Sequence, residues 1–396
     1  MRIFRHWVRP EFRHEVIFTR GALRVENRAL AEVFEGEGGR AARVVVVVDR
    51  GVAEAKPKLV KELKKYFEKH AGRVELAGEP MIVPGGETAK NDWRLVEKLW
   101  AAMERHGLSR QSYVLAIGGG AALDLAGFAA ATAHRGVRLV RMPTTSLSQA
   151  DGGVGVKNAV NFFGKKNWVG AFAVPAAVVN DFDFLRTQSA AAARGGVVEA
   201  FKVGLIRDGK LADLVARNAG RLGVRSGRAS PVYEKVIEES ARLHLRHIAT
   251  GGDPFEQGTG RPLDFGHLLA HKLEQMANFR LPHGDAVAVG VAVDARYSAA
   301  CGWLPEREAR RVVQTLERLG CDTGDGKINP LVRRLLQRHS KNGELEVLTG
   351  LEEFRQHLGG ALTLTLLRKW GKGEETSAID LGMMRAVVER TINDKG

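Results

Sequence analysis

The sequence has little of what marks extracellular, fibrous or membrane-spanning proteins. Its 396 residues include only two cysteines, Cys301 and Cys321, which excludes a disulfide framework. No stretch reaches the roughly 18 uninterrupted apolar residues that a membrane span requires, and the basic N-terminal segment is followed by no apolar signal region. There is no internal repeat and no low-complexity linker. The expectation is a soluble, cytoplasmic protein with no membrane partner.

The abundant residues indicate ordinary globular domains. Apolar residues make up 44% of the chain, and 46 glycines accompany only 12 prolines, a composition that argues against disorder. Because domains usually contain about 100–200 residues, a chain of this length predicts two of them.

A net charge of +14 is compatible with a nucleic-acid partner, but the basic residues are scattered among acidic ones. Their densest cluster, between Lys56 and Lys69, alternates with apolar residues at helical spacing and predicts the solvated face of a helix. We therefore expect no nucleic-acid partner. A positive field that attracts an anionic substrate explains the charge more simply.

The pattern of apolar residues predicts two domains of different class. Up to about residue 185, short β-branched runs alternate with helical stretches, as in a parallel sheet covered by helices. The predicted fold is therefore an N-terminal Rossmann-like α/β domain over residues 1–184 and a mostly α-helical C-terminal domain over residues 185–396. The clearest predicted elements are strands at 44–49, 113–117 and 137–142, a helix at 93–106, successive helices over 190–250, and a short late strand at 360–367.

A glycine-rich turn follows the second of these strands. Three glycines after Ile117 lead into a helix of small residues that contains Asp124. Glycines let a backbone approach a phosphate, and a helix N-terminus offers free N–H groups. Asp49, at the end of another strand, could hold an adenosine ribose hydroxyl. Because Leu123 breaks the full dinucleotide fingerprint, the same residues would also suit a tight turn without a ligand.

A donor-rich segment covers residues 142–167. It combines glycines, threonines, lysines and amides with almost no regular period, which predicts a long loop that becomes ordered around a phosphate or polyol. Lys157, Lys166 and Asn167 could donate to phosphate oxygens, and Thr144 and Thr145 could reach a nicotinamide ribose or carboxamide.

Polar side chains interrupt apolar helical stretches farther along the chain. Glu199 and Lys202 lie three residues apart, so they share one helix face. The pattern also predicts one helical stripe carrying Asp264, His267 and His271, and a helix that starts near His283. A glutamate with two histidines leaves open positions, as in catalytic zinc sites. Taken singly, each histidine would equally suit a hydrogen-bonded position in a protein core.

Taken in order, these segments closely resemble the dehydroquinate synthase and sugar phosphate cyclase superfamily over about residues 45–294, and more weakly as far as residue 379. The strings that carry the resemblance are GGGAALDLAGFAAATAHRG, MPTTSLSQADGGVGVKNAVNFFGKKNWVGAF, VVEAFKVG, RPLDFGHLLAH and LPHGDAVAVGV. The resemblance implies an NAD-dependent lyase with a divalent metal, zinc or else cobalt, that acts on a sugar phosphate as a homodimer.

The resemblance also implies roles for individual residues. The implied metal ligands are Glu199, His267 and His283. The implied cofactor contacts are Asp49, Glu87, Lys90, Gly119, Gly120, Asp124, Thr144 and Thr145. The implied catalytic residues are Lys157, Asp151, Lys202, Arg261, Asp264 and His271. The implied substrate contacts are Arg135, Lys166, Asn167 and His247, of which Arg135 is expected to reach across the dimer interface.

Departures from the family pattern bear on the substrate. Dehydroquinate synthases have asparagine where this chain has Asp264, and a lysine that grips the substrate carboxylate where it has His247. Their C-terminal phosphate lysine has no clear counterpart near Ala361. Asp264 and the stretch 350–367 resemble valiolone-type cyclases, which act on sedoheptulose 7-phosphate, whereas His271 resembles dehydroquinate synthase. The mixture predicts a third branch, similar to the cyclase-like proteins of the Ebo cluster.

The implied reaction is oxidation of a seven-carbon sugar phosphate, phosphate elimination, re-reduction and intramolecular aldol closure to a cyclitol. One alternative is 3-dehydroquinate synthase activity on the heptulosonate phosphate. A second is a metal-dependent NAD polyol dehydrogenase, which would release NADH. A third is a non-catalytic relative that keeps the fold as a binding module.

Overall fold

The structure is a computed structural model that describes residues 1–8, 10–223, 230–256, 263–323, 328–358 and 362–393. The chain forms two compact units, Met1–Met142 with Val156–Asn180, and Pro143–Gly155 with Asp181–Gly396. Segment Pro143–Gly155 belongs to the second unit, although it precedes the expected boundary between residues 184 and 185. The division into two domains at that boundary stays a prediction.

The first unit contains a parallel sheet at its centre. Its strands are β1 (Val16–Thr19), β2 (Ala42–Asp49), β3 (Val74–Leu76), β4 (Met81–Val83), β5 (Tyr113–Gly118), β6 (Arg138–Pro143), β7 (Lys157–Phe162), β8 (Lys165–Phe172) and β9 (Ala177–Asp181). Seven of them form one sheet in the order β1-β9-β6-β5-β2-β3, with β4 also pairing with β2. The strands predicted at 44–49, 113–117 and 137–142 are confirmed.

The centre of this sheet is buried on both faces. Strand β2 runs parallel to β3, β4 and β5, with Val44 opposite Tyr113 and Val48 opposite Ile117. The five consecutive valines of β2 are all buried. A continuous apolar run is what a parallel strand covered on both sides requires.

The helices of the first unit are α1 (Ala29–Val33), α2 (Arg50–Ala55), α3 (Leu59–Lys69), α4 (Thr88–Asn91), α5 (Trp93–Arg105) and α6 (Gly120–Thr132). The helix predicted at 93–106 is confirmed as α5, and the basic stretch before Lys69 forms α3. Helix α6 begins at the predicted glycine turn and is buried over most of its length.

The long loop predicted over residues 142–167 is wrong in part. Strands β7 and β8 form an antiparallel hairpin in which Lys157 lies opposite Phe172. A π-helical turn covers Ser148–Gly152. Glycines and amides obscured the strand period, because backbone pairing rather than alternating burial holds this hairpin.

The second unit is mostly helical, as predicted. Its helices are α7 (Ala190–Arg207), α8 (Gly209–Leu222), α9 (Pro231–Thr250), α10 (His267–Met276), α11 (His283–Ala300), α12 (Glu306–Arg318), α13 (Pro330–Leu336), α14 (Gly350–Leu358) and α15 (Leu381–Asn393). A hairpin of β10 (Leu364–Lys369) and β11 (Lys372–Thr376) confirms the late strand. Among the described helices, none is long and apolar enough to cross a membrane.

Candidate active site

Three helices of the second unit bring together a glutamate and two histidines. Glu199 comes from the middle of α7, and His267 and His283 are the first residues of α10 and α11. Nε2 of His283 lies 3.2 Å from Oε1 of Glu199, and Nε2 of His267 lies 3.5 Å from the same oxygen. One potential ligand atom from each residue lies within 4.8 Å of the others. The predicted helix start at His283 is confirmed.

A glycine contact sets the distance between α7 and α11. A Cβ atom added to Gly284 would lie 2.2 Å from Cα of Gly195, far inside van der Waals contact. Gly195 precedes Glu199 by about one turn, and Gly284 follows His283 directly. Because only glycine permits this approach, the two residues place the ligands within reach of each other.

The start of α10 is fixed by a second close contact. Gly266 has a φ of +79°, and a Cβ added to Gly290 of α11 would lie 1.9 Å from the Gly266 carbonyl oxygen. The backbone N–H of Gly266 donates to Oδ2 of the buried Asp294 at 2.7 Å. Asp294 therefore acts from α11 as the cap that α10 lacks, and it orients the peptide that leads into His267.

Burial raises the pKa of Asp294 to about 7, despite the opposing hydrogen bond from Gly266. An acid whose pKa is raised by folding lowers stability as pH rises from its ordinary value to the raised one. We expect Asp294→Asn, whose amide oxygen can still accept from Gly266, to raise the melting temperature more at pH 8 than at pH 5. In free energy of unfolding, the substitution should stabilise the protein at pH 8 by at most about 3 kcal/mol more than at pH 5. Asp322→Asn, at an exposed position, serves as the control. If Asp294→Asn raised the melting temperature equally at both pH values, the raised pKa of Asp294 would be contradicted.

The ligand set has strong internal electrostatics. Burial alone would raise the pKa of Glu199, but Lys202 and the hydrogen bond from His283 lower it to about 2. Burial also lowers the pKa of His267 well below its usual value, and Lys202 and His271 add to this. For His283 burial is outweighed by its two carboxylate neighbours, which raise the pKa to about 9. The carboxylate is ionised, and His267 is held neutral as a metal ligand must be.

Glu274 supports the site, and the sequence reasoning missed it. Its Oε2 lies 3.2 Å from Nδ1 of His283, whose other nitrogen faces Glu199. A carboxylate on the second nitrogen of a histidine fixes the ring and raises its basicity as a ligand. The signal was available, because Glu274 follows His267 by seven residues and therefore lies on the same face of α10.

The three residues fit a divalent metal. Their donor set of one carboxylate and two imidazoles is that of catalytic zinc sites. Glu199 has no exposed side-chain surface, and burying an ionised carboxylate is costly without cations around it. Lys202 supplies one, and a metal between the three ligands would supply another.

Lys202 extends the site toward α9. Its Nζ lies 2.7 Å from Oε2 of Glu199, which confirms the predicted shared face, and 3.9 Å from Oδ2 of Asp151. Burial lowers the pKa of Lys202, but Glu199 and Asp151 more than offset this and raise it. Asp151 in turn contacts His244, a residue that the sequence reasoning did not select.

Of the other predicted residues in this unit, His271 lies beside the ligands and Asp264 is placed differently than expected. The His271 ring is stacked on His283 at a centroid distance of 6.2 Å. Asp264 precedes α10, so the expectation that it shares a helical stripe with His267 is wrong: the left-handed Gly266 separates them. Arg261 and the region near Ala361 lie outside the described residues.

His247 has a cationic neighbour. Nδ1 of His247 lies 3.3 Å from a terminal nitrogen of Arg207, at the end of α7. A guanidinium can only donate, so Nδ1 of His247 is the acceptor in this contact.

In the first unit, Asp49 lies where three parallel strands end. It is the last residue of β2 and accepts from the backbone N–H of Gly51 at 2.8 Å. A Cβ on Gly85 would lie 2.7 Å from its Oδ1, and one on Gly118 would lie 2.8 Å from its Cβ. The loops after β2, β4 and β5 thus converge on a buried carboxylate, as in dinucleotide-binding sheets.

Predicted cofactor and substrate residues form one polar cluster in the first unit. Nζ of the buried Lys90 lies 2.6 Å from Oδ2 of Asp124 and also donates to Asn167. A second set adjoins it: Nζ of Lys166 lies 3.6 Å from Oε1 of Glu87, and Nδ2 of Asn161 donates to the other oxygen at 2.8 Å. The hairpin β7–β8 therefore carries its donors to α4 and α6. Asn161, the link between the two sets, was not predicted.

The remaining predicted residues lie at separate positions. Gly119 and Gly120 start α6, as predicted. Thr144 is buried, and its hydroxyl has no hydrogen-bond partner within the described ranges, whereas Thr145 pairs with Ser148 at 2.7 Å. Lys157 is exposed on β7, and the exposed Arg135 has a left-handed φ of +63°. The unpaired hydroxyl of Thr144 fits a position filled by a polar ligand such as a dinucleotide.

Family models and related sequences agree on one family. Family models described as 3-dehydroquinate synthase N-terminal and C-terminal match residues 80–194 and 196–341. A 3-dehydroquinate synthase of Pelobacter propionicus is 34% identical over 285 residues, 72% of this chain and 76% of the relative.

Solved structures share the fold along nearly the whole chain. ValA, a 2-epi-5-epi-valiolone synthase of Streptomyces hygroscopicus subsp. jinggangensis 5008 with NAD⁺ and Zn²⁺ bound, is 26% identical with a TM-score of 0.84, and the match covers 99% of this chain and 100% of ValA. A 2-deoxy-scyllo-inosose synthase complexed with carbaglucose-6-phosphate, NAD⁺ and Co²⁺ has a TM-score of 0.73 at 20% identity, covering 95% and 96% of the two chains.

The fold is that of an enzyme of the sugar phosphate cyclase superfamily. Within that superfamily, the chain belongs to the 3-dehydroquinate synthase family.

Proposed function

We propose that the protein cyclises a seven-carbon sugar phosphate similar to sedoheptulose 7-phosphate to a cyclitol, with NAD and a divalent metal as cofactors. The observation that carries the proposal is the buried set of Glu199, His267 and His283, which suits a catalytic metal. When bound, the metal would polarise a substrate hydroxyl and NAD would accept and return its hydride.

The residues of this chain would bind and orient the sugar. Glu199 stays ionised beside the fixed cation of Lys202, and Glu274 holds the His283 ring. On the hairpin, Lys166 and Asn167 offer cationic and amide donors of the kind that hold a phosphate. Holding one flexible substrate through several steps is chiefly a positioning task, and many polar contacts serve it.

The polyol dehydrogenase alternative uses the same cofactors but needs no phosphate site. The donors of the β7–β8 hairpin therefore favour a cyclase.

A further expectation from the resemblance is a cytoplasmic homodimer in which Arg135 reaches the partner's substrate. The 3-dehydroquinate synthase alternative differs from the proposed function only in that its substrate carries a carboxylate. The residues at positions 247 and 264 are expected to determine whether that carboxylate is accepted.

The proposal is tested by following two products at once. Purified protein with NAD and zinc or cobalt is expected to release inorganic phosphate from a seven-carbon sugar phosphate while the absorbance of NADH stays flat, because the cofactor is recycled. Omission of NAD and addition of a chelator are the controls, and each should stop phosphate release. Accumulation of NADH without phosphate would instead identify a polyol dehydrogenase, and neither product would favour a binding module.

Asp49 predicts which dinucleotide binds. A carboxylate at this strand end accepts from a ribose 2′-hydroxyl and repels a 2′-phosphate. We expect calorimetry to show tighter binding of NAD than of NADP. Asp49→Asn removes the charge yet can still accept from Gly51, so it should narrow the difference by about tenfold without unfolding the loop. A preference of the unaltered protein for NADP would refute the assignment.

A further inference from the structure

His244 and Asp151 form a largely buried imidazole–carboxylate pair in the second unit. Nδ1 of His244 lies 2.7 Å from Oδ1 of Asp151, and the two side chains are only 13% and 17% exposed. The pair joins α9 to the π-helical turn Ser148–Gly152. Nζ of Lys202 lies 3.9 Å from the other oxygen of Asp151 and 2.7 Å from Glu199. One lysine therefore links the pair to the ligand set.

The contact fixes which nitrogen of His244 remains available. An ionised carboxylate only accepts, so Nδ1 carries the proton, and in the neutral ring Nε2 has a free lone pair. At 2.7 Å the Nδ1–Oδ1 contact is short but lies outside hydrogen-bond geometry, so electrostatic attraction between the ring N–H and the carboxylate holds the pair. Burial would raise the pKa of Asp151, but His244 and Lys202 lower it, which keeps the carboxylate ionised.

Nε2 of His244 faces the glycine-rich stretch that follows Asp151. A Cβ atom added to Gly155 would lie 3.6 Å from this nitrogen. The stretch leads directly into Lys157, a residue expected to contact substrate. A carboxylate on one imidazole nitrogen and an open second nitrogen is the arrangement of histidines that act as acid and base.

One step of the proposed reaction lacks a proton acceptor. The departing phosphate can serve as the base of its own elimination, but opening of the sugar ring requires a base for the anomeric hydroxyl. We propose that Asp151 and His244 form an acid–base dyad for this step, in which Asp151 orients the ring and Nε2 takes the proton. The assignment rests on the proposed function.

The bonds and protons of the step balance. The anomeric O–H bond breaks, its proton passes to Nε2, and its electron pair forms a carbonyl. The bond from the anomeric carbon to the ring oxygen breaks, and its electron pair leaves on that oxygen as an enolate, because phosphate elimination has placed a double bond beside it. The enolate carbon attacks the new carbonyl, and the imidazolium returns its proton to the resulting alkoxide.

The pairing can be tested without any substrate. Long-range ¹H–¹⁵N spectra of protein labelled with ¹⁵N-histidine, assigned with His244→Gln, are expected to show the neutral His244 ring protonated on Nδ1. Asp151→Asn removes the ionised acceptor and is expected to shift the ring toward the Nε2–H form. An unaltered protein in which His244 already carries its proton on Nε2 would overturn the dyad, whatever the enzyme does.

The proton transfer is tested by kinetics. His244→Ala is expected to lower kcat about 10²–10⁴-fold with little change in KM, and added imidazole should restore part of the loss. Phosphate release in the first turnover should stay near the unaltered rate, because elimination precedes ring opening. His339→Ala, at an exposed position, controls for the substitution, and the unaltered enzyme in imidazole controls for competition at the metal.

Two outcomes would overturn the acid–base role. One is an unaltered kcat in His244→Ala, and the other is a reduced kcat that added imidazole does not restore at any concentration. His244→Gln, which preserves a polar side chain, distinguishes a lost fold from a lost base, because only the former would change its melting curve. A protein that releases phosphate from no sugar phosphate would refute the proposed function instead, and the histidine spectra would still decide the pairing.

Discussion

Replacement of Glu199 is expected to remove most of the bound metal and about a thousandfold or more of the activity. The residue provides the only carboxylate of the ligand set among the residues that the structure describes. A metal that polarises a reacting oxygen is worth several kcal/mol in the transition state, which corresponds to this loss of rate. The measurement is metal content after dialysis together with phosphate release.

The choice of variant matters at this position. Glu199→Ala removes the nearer of the two carboxylates beside the buried Lys202, and breaking a buried ion pair typically costs about 3–5 kcal/mol of stability. Glu199→Gln keeps the shape, and His267→Ala removes a ligand without touching the ion pair. Glu79→Ala, at an exposed site, is the matched control. Full metal occupancy in the Glu199 and His267 variants would contradict the assignment of these residues as metal ligands.

Sedoheptulose 7-phosphate is expected to be converted roughly ten- to a hundredfold faster than the heptulosonate phosphate of dehydroquinate synthase. Loss of the charge-assisted hydrogen bond between a lysine and the substrate carboxylate costs about 1.5–3 kcal/mol, which corresponds to this range of rates. Nδ1 of His247 accepts from Arg207, so this side chain does not offer a substrate carboxylate the three ammonium donors of a lysine. The carboxylate of Asp264 would repel the carboxylate of the heptulosonate phosphate, whereas it can accept hydrogen bonds from sugar hydroxyls.

Two substitutions should move this preference in a known direction. His247→Lys and Asp264→Asn restore the charges of dehydroquinate synthases, and both are expected to raise turnover of the heptulosonate relative to sedoheptulose 7-phosphate. Arg207→Gln tests the nearest alternative, since the guanidinium beside His247 could itself hold a carboxylate. Efficient conversion of the heptulosonate by the unaltered protein would make it a 3-dehydroquinate synthase with an unusual carboxylate site. Loss of that activity in Arg207→Gln would then identify its cation.

Much of the fold was predictable because local patterns and burial agree. The valines of β2 form a continuous apolar run, which a covered parallel strand requires, and α5 shows a clear apolar stripe. Glu199 could be selected because it interrupts an otherwise apolar helical stretch, and His283 because it stands at a predicted helix start.

The remainder depends on contacts between distant parts of the chain. His244 meets Asp151 from a position 93 residues away, a pairing that no local period encodes. Asp264 was placed on a helix because its spacing from His267 is helical, and the left-handed Gly266 that interrupts this stripe is visible only in three dimensions. The β7–β8 hairpin escaped prediction because its glycines and amides carry no alternation of apolar residues.

The glycine contacts beneath the ligand set restrict how this enzyme can be recombined with its relatives. A chimaera that takes α7 from one parent and α11 from another inherits only half of the Gly195–Gly284 contact, and any side chain on the other half would push Glu199 away from His283. The pair Gly266–Gly290 imposes the same rule on α10 and α11. These three helices are therefore inherited as one block, and crossover points suited to shuffling substrate specificity lie outside it.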